Sequence, residues 1–167
     1  MQKKKLKLNI GCGKRILDGY DNIDSQPFGD KVIVMDVRNL QYVDGSVDEI
    51  LAEFILEHLP YAETQEIIWS WWMALKPGGT LKLLVPDFDM IAKEWLAGNL
   101  SRNILHFQLY CSVINPKRQM GHLCTFDKKY LKELLEGEGF RIVSMENIGT
   151  DIRVVAKKLV HKEGTCR

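Results

Sequence analysis

The stretch LNIGCGKRILDGYDNID, residues 8–24, restricts the fold more than any other part of the chain. Leu6, Leu8 and Ile10 alternate with polar residues and stop at Gly11, the pattern of a strand that runs into a turn. A second short strand, YDNID, ends at Asp24. Between them, residues 14–19 leave room for about a turn and a half of helix at most. That is too little for the full helix that usually follows such a turn in an α/β protein.

The rest of the chain continues the alternation. KVIVMD is a β-branched run, read as a third strand ending at Asp36, and VDEILAE is a fourth ending near Glu53. Pro60 is expected to open a helix whose core face holds Ile67, Ile68, Trp71, Trp72 and Leu75. KPGG should stop that helix through a glycine cap, and TLKLLVP is a fifth strand. Residues 88–97 read as helical, whereas residues 98–124 show no period. Thr125 is expected to cap the next helix, with Asp127 favourable at its positive end and Tyr130, Leu131, Leu134 and Leu135 on its core face. FRIVSME and IRVVAKK follow, joined by a connector too short for a crossover helix, so they should pair antiparallel.

This order predicts an α/β fold: a doubly wound, mostly parallel sheet with helices on its faces. The expected organisation is one domain over residues 1–160, with residues 98–124 as an insertion that covers a substrate and residues 161–167 as a tail. Ligands of such sheets lie beyond the carboxyl ends of the strands, at the switch point. Gly11–Gly13, Asp24, Asp36 and Glu53 all fall on that rim.

The turn itself narrows the ligand. GCG lets backbone approach a ligand closely. A dinucleotide fingerprint would need a third glycine at position 16, where Ile16 stands, and an acid about twenty residues on. Asp24 comes sooner, and the missing helix removes the dipole that would hold a pyrophosphate. A nucleoside without phosphates suits the turn better than NAD. Asp24 then has two readings, a carboxylate for both ribose hydroxyls or a strand-end residue capping a turn, and the preceding glycine turn favours the first. Asp36 can accept the exocyclic amine of an adenine while the Val37 amide meets a ring nitrogen, with Met35, Val37 and Leu40 about the ring; a solvated loop acid is the other reading.

Composition excludes several classes. With a net charge of +1, no strong field draws nucleic acid or a membrane surface. The basic opening MQKKKLKLNI has no apolar run of signal-peptide length after it, so the cytoplasm is the expected compartment. Cys12, Cys111, Cys124 and Cys166 form no C-x-x-C pair and are expected as reduced thiols. A metal reading would combine His106, Cys111, His122 and Cys124; their spacing matches no common zinc pattern, and no metal is expected.

LNIGCG, then IDSQP, then MDVRNLQYVDGSVDEILAEFILEHL, then ALKPGGTLKLLVPDF resemble the ordered motifs of class I S-adenosylmethionine-dependent methyltransferases, most nearly the small bacterial and phage members of methyltransferase type 11. GHLCTFDKKYLKELLEGEGF is similar to the family's later helix and strand. The resemblance implies a Rossmann-like seven-stranded sheet with an antiparallel last strand, S-adenosylmethionine as cofactor, and cofactor contacts at Asn9, Gly11, Cys12, Gly13, Asp24, Ser25, Asp36, Val37, Glu53 and Phe54. Gly11 and Gly13 would pass the methionine part, Asp24 the ribose, Asp36 and Val37 the adenine. The chain departs from larger members in its abbreviated first helix and in having Lys14 and Arg15 where a third glycine is usual. Lys14 or Arg15 can replace the lost grip on the methionine carboxylate; a solvated basic pair is the other reading.

In-line methyl transfer needs aligned donor and acceptor, and a hydroxyl acceptor gains from a base. His122 is the first candidate, Asp87 the second, and His58 a third; each also has a structural role open to it, His122 tying down a loop, Asp87 capping the helix at 88–97, His58 closing a helix entry. Arg102, Lys117 and Arg118 can meet an anionic substrate or sit in solvent. Trp71 and Trp72 read as core, and Trp69 as a candidate contact with a second copy. The expected activity is methyl transfer to an oxygen or nitrogen of a small molecule or glycan precursor. The alternatives are a non-catalytic cofactor-binding subunit that needs a partner and, against Ile16 and the early Asp24, a nicotinamide oxidoreductase. No DPPY-like motif follows the fourth strand, which argues against a nucleic-acid acceptor.

Overall fold

The computed structural model describes residues 5–111 and 121–160. Lys117, Arg118 and Cys166, and the tail 161–167, lie outside the described residues.

Seven strands form one sheet: β1 (Lys7–Ile10), β2 (Asp21–Asp24), β3 (Val32–Val34), β4 (Val47–Glu53), β5 (Leu75–Pro86), β6 (Phe140–Ile148) and β7 (Asp151–Lys158). Their spatial order is β3-β2-β1-β4-β5-β7-β6. β1 to β5 pair in parallel, and β7 runs antiparallel to both β5 and β6. This is the Rossmann-like seven-stranded, mostly parallel sheet with an antiparallel last strand that was expected from the sequence. The chain winds outward through β1, β2 and β3, then returns to place β4 on the other side of β1. The switch point is therefore the crevice between the carboxyl ends of β1 and β4.

Leu8, Ile10, Ile23, Ile50 and Ala52 are fully buried, as the middle of a parallel sheet requires. The helices are α1 (Thr64–Ala74), α2 (Phe88–Leu96), α3 (Arg102–Tyr110) and α4 (Lys128–Gly137). None lies between β1 and β4, so the first three crossovers are loops. Trp71 is wholly buried on α1, and its indole Nε1 donates to the Val37 carbonyl at 2.7 Å, tying the loop after β3 to the core. Trp69 is half-exposed and stacks on Trp72.

Several local expectations are corrected. β3 is only Val32–Val34, and Ile33 and Val34 are exposed, because this is the sheet's edge and no helix covers it. Pro60 does not open α1: a 3₁₀ turn, Tyr61–Glu63, intervenes. KPGG does not cap α1. Leu75 is already extended and pairs with Val47, so KPGG is an excursion within β5, opposite a register shift at Val47/Glu49. Asp127, not Thr125, caps α4, its side chain accepting from the Tyr130 amide at 2.8 Å. The unreadable stretch contains α3, capped by Ser101. No residue of α3 is buried, so no apolar stripe marks it.

Candidate active site

The loop between β1 and β2 is held from beneath. Asn9 is buried, and its amide donates to the Arg15 carbonyl and to Asn22 Oδ1, both at 2.8 Å. Asn22 Oδ1 also accepts from the Leu17 amide, and its own amide donates to the Leu17 and Tyr20 carbonyls. Two asparagines on adjacent strands thus satisfy the polar groups that a helix would otherwise satisfy itself. Asn9 supports the loop from inside and is not on its open surface.

The two glycines of the turn serve different ends. Both have positive φ, +64° at Gly11 and +51° at Gly13. A Cβ at Gly11 would fall 2.6 Å from Ile55, so that glycine lets the loop after β4 approach β1. A Cβ at Gly13 would meet nothing within 4 Å. The protein itself does not need that space; a ligand lying across the turn would. Between them, Cys12 is buried and its amide donates to the Ile23 carbonyl at 3.0 Å. Burial, and then the Asp24 charge, push its thiol pKa up, which makes it unreactive.

Asp24 is 7% exposed. Its Oδ2 accepts from the Gly13 amide at 2.8 Å and its Oδ1 from the Gln26 amide at 3.0 Å. These two bonds aim the carboxylate, and since it offers about four acceptor sites, roughly two are left for a ligand. Ser25 beside it is exposed. Asp36 is exposed and grips the Arg38 side chain through both oxygens, which holds its carboxyl below the usual range. Val37 and Leu40 are buried in the core, so of the three apolar residues expected about an adenine ring, Met35 is the least enclosed. Glu53, at the end of β4, forms an ion pair with Arg15 from the glycine loop. That pair bridges the β1/β4 crevice. Phe54 follows with φ +54° and is half-exposed.

A second cluster of polar groups lies after β4. Glu57 is 1% exposed, and among the described residues neither carboxyl oxygen has a hydrogen-bond partner. Burial, and then the Asp151 charge, raise its pKa to about 8. It lines a small cavity with Pro86, Phe88, Gln108, His122 and Cys124. His58 Nδ1 lies 3.1 Å from the Gly121 carbonyl, and His122 Nδ1 lies 2.9 Å from the Gln108 carbonyl. Because a carbonyl only accepts, each Nδ1 carries the hydrogen and each Nε2 has its lone pair. The rings meet edge to face at 4.8 Å. Burial lowers both pKa values, helped at His122 by His58, so both rings are neutral at pH 7. Asp87 is differently placed: Oδ1 caps α2 by accepting from the Asp89 and Met90 amides, and Oδ2 accepts from the Asn147 amide at 2.6 Å. It is a buried structural carboxylate.

Sequence reasoning placed the acids and glycines on one rim, and the structure brings them there. It missed the Glu57 carboxyl, for which the sole signal is an acid inside the apolar run FILEHL, and the Arg15–Glu53 pair, which joins residues from different crossovers.

Among solved structures, a SAM-dependent methyltransferase from Methanosarcina mazei superposes with a TM-score of 0.67 at 21% identity, over 96% of this chain and 95% of that one. The Burkholderia thailandensis 1,6-didemethyltoxoflavin-N1-methyltransferase, solved with bound 1,6-didemethyltoxoflavin and S-adenosylhomocysteine, gives 0.66 at 16% identity, over 95% and 72%. A putative methyltransferase of Haloferax volcanii, solved in complex with the Trm112 methyltransferase activator, gives 0.66 at 13% identity, over 96% and 85%. These likenesses show the fold. No curated protein matches the chain. Among the described residues, no helix is long and apolar enough to cross a membrane. Residues 19–83 match the model of a methyltransferase-domain family, a span that takes in Asp24, Asp36 and Glu53 and begins after the glycine turn.

Proposed function

We propose that this chain transfers a methyl group from S-adenosylmethionine to an oxygen or nitrogen of a small molecule or glycan precursor. The observation that carries the reading is the open space over Gly13 beside a carboxylate, Asp24, that two backbone amides aim along the same rim. In this reading Gly11, Cys12 and Gly13 form the floor under the methionine part, Asp24 and Ser25 face the ribose, and Asp36 and Val37 face the adenine. Glu53 and Phe54 border the methyl end, and Asn9 keeps the loop in shape. Arg15 supplies the charge that a first helix would have supplied, leaving Glu53 for the methionine carboxylate.

The bound cofactor supplies an electrophilic methyl on a sulfonium. The protein's part is to align the acceptor with it and to exclude water. His122 receives the acceptor's proton at Nε2, its ring oriented by the bond from Nδ1 to the Gln108 carbonyl. Asp87 sets the start of α2 beside the cavity and acts through that position. Within residues 98–124, α3 and His122 contribute the acceptor side.

Calorimetry with S-adenosylhomocysteine and with NADH tests the reading. Micromolar binding of the first and none of the second is expected; the reverse would establish the oxidoreductase alternative. One observation keeps the partner-dependent reading in view: the loop crossovers leave the β3 edge exposed, and the Haloferax neighbour was solved with an activator. Cofactor binding with no turnover on any acceptor pool would favour it.

A further inference from the structure

The two histidines that meet after β4 are joined there by a third donor. One nitrogen from each of His58 and His122 and Sγ of Cys111 all lie within 4.8 Å of one another. They come from three places: the 3₁₀ turn after β4, the left-handed residue that ends α3, and the extended segment leading to α4. Nothing in the sequence spacing announces them. The combination weighed and set aside from the sequence joined His106 and Cys124 with Cys111 and His122, whereas the fold brings His58 to Cys111 and His122. Cys124 Sγ is directed at the carbonyls of Leu56, Glu57 and Leu59 instead, and His106 packs against Tyr110.

We propose that His58 Nε2, His122 Nε2 and Cys111 Sγ form a site for a divalent zinc-class ion, with a fourth position open. Three features point the same way. Each histidine directs Nδ1 at a backbone carbonyl, of Gly121 and of Gln108, which fixes the tautomer and leaves Nε2 as the donor; metal-bound histidines are oriented in this manner. Two imidazoles and a thiolate are a borderline-to-soft set that selects zinc over magnesium or calcium. Tetrahedral zinc places such donors roughly 3.5 Å apart, and one nitrogen of each ring already lies within 4.8 Å of the other and of Sγ. Independently, the buried Glu57 carboxyl, which lines the cavity with His122 and has no hydrogen-bond partner among the described residues, places an uncompensated acceptor beside the cluster.

The site lies on the carboxyl rim, after β4, so this deepens the methyltransferase reading and rests on it for its role. The open position would take the acceptor's oxygen or nitrogen and lower the pKa of a hydroxyl, as zinc does for bound water. An ion on His122 Nε2 occupies the lone pair that would otherwise take the proton, so in the zinc-loaded chain the ion replaces His122 as the activating group.

The test uses the full chain stripped with chelator and reloaded with zinc or cobalt, measured by elemental analysis and absorption. One zinc per chain is expected, and the cobalt form should show thiolate-to-metal charge transfer in the near ultraviolet with tetrahedral visible bands. His58→Gln and His122→Gln should each weaken zinc about tenfold or more, and Cys111→Ser should remove the charge-transfer band. Cys124→Ser should keep the metal and the band. S-adenosylhomocysteine titrations run beside these report on folding and on the methyltransferase reading separately: cofactor bound without zinc sinks the metal site alone. Wild type that holds less than stoichiometric zinc at micromolar concentration, or variants that bind it as well as wild type, would overturn the proposal.

Discussion

Asp24 is the residue on which the cofactor reading can be measured most directly. Its two oxygens accept from the Gly13 amide at 2.8 Å and the Gln26 amide at 3.0 Å, and it is nearly buried, so its orientation is fixed before any ligand arrives. Two backbone donors use about half of its acceptor capacity, which leaves one site per oxygen for the two ribose hydroxyls. Hydrogen bonds to a charged group contribute about 1.5–3 kcal/mol each, less where solvent competes. Asp24→Asn, which keeps the shape but loses the charge and one acceptor, should therefore weaken S-adenosylhomocysteine by about 1.5–3 kcal/mol, roughly ten- to hundredfold in Kd. It also sets an amide donor against a backbone donor, so melting should fall by about 1–2 kcal/mol of stability. To separate ligand contact from loop damage, adenosine and 2′-deoxyadenosine are titrated against both proteins. If Asp24 holds the 2′-hydroxyl, wild type should prefer adenosine severalfold and Asp24→Asn should not discriminate. Equal discrimination by the two proteins would show that the carboxylate serves the loop and not the sugar, and the rim assignment would fail with it.

The two glycines should separate packing from binding. Gly11→Ala, forced to φ +64° and 2.6 Å from Ile55, should cost about 2–4 kcal/mol of stability by denaturant melts, whereas Gly13→Ala should cost only about 1–2 kcal/mol yet weaken S-adenosylhomocysteine tenfold or more by calorimetry. Arg15→Ala should weaken S-adenosylhomocysteine but leave 5′-methylthioadenosine, which lacks the carboxylate, unchanged; equal losses for both would place Arg15 elsewhere than at the methionine end. Trp71→Phe leaves the buried Val37 carbonyl without its 2.7 Å donor and should cost about 2–3 kcal/mol in the melt, with weaker adenosine binding as the loop after β3 loosens.

What could be read from residues alone follows from what each signal encodes. In the sheet's middle, β1 was legible because Leu8 and Ile10 alternate with polar residues up to the glycine turn, and β4 because Ile50, Leu51 and Ala52 make an apolar run, all of them buried. KVIVMD carried the same signal and misled: β-branched content does not say whether a strand is central or at an edge, and here only Val32–Val34 pairs. KPGG misled for a related reason. Glycine and proline mark a break in regular structure, but whether the chain resumes as a capped helix end or as a loop within a strand depends on the pairing of Leu75 with Val47. α3 was illegible because none of its residues is fully buried; Leu105, Gln108 and Leu109 are only half-buried. At the site, Gly13 and Asp24 were legible because a turn and a strand end fix where they point. Arg15–Glu53 and His58–His122 are contacts between crossovers, set by topology and invisible to spacing.

The short first crossover has a consequence for how such a domain holds its cofactor. A full helix after the glycine turn would bring its amino terminus, with a partial positive charge and unsatisfied amides, to the methionine carboxylate. This chain has no helix there, and Asn9 with Asn22 takes over the structural task of closing the loop. The electrostatic task is not met by that pair, since both side chains are neutral and buried. The cation that reaches the crevice from the loop is Arg15, and it is paired with Glu53 across the switch point. In the proposed cofactor reading, a fixed dipole is thereby exchanged for a side chain that would have to leave one carboxylate to bind another. Binding should then depend on salt more steeply than a dipole-held site would, because raising ionic strength weakens both pairs of a solvent-facing guanidinium, and the ligand pair, formed by a mobile partner, weakens more.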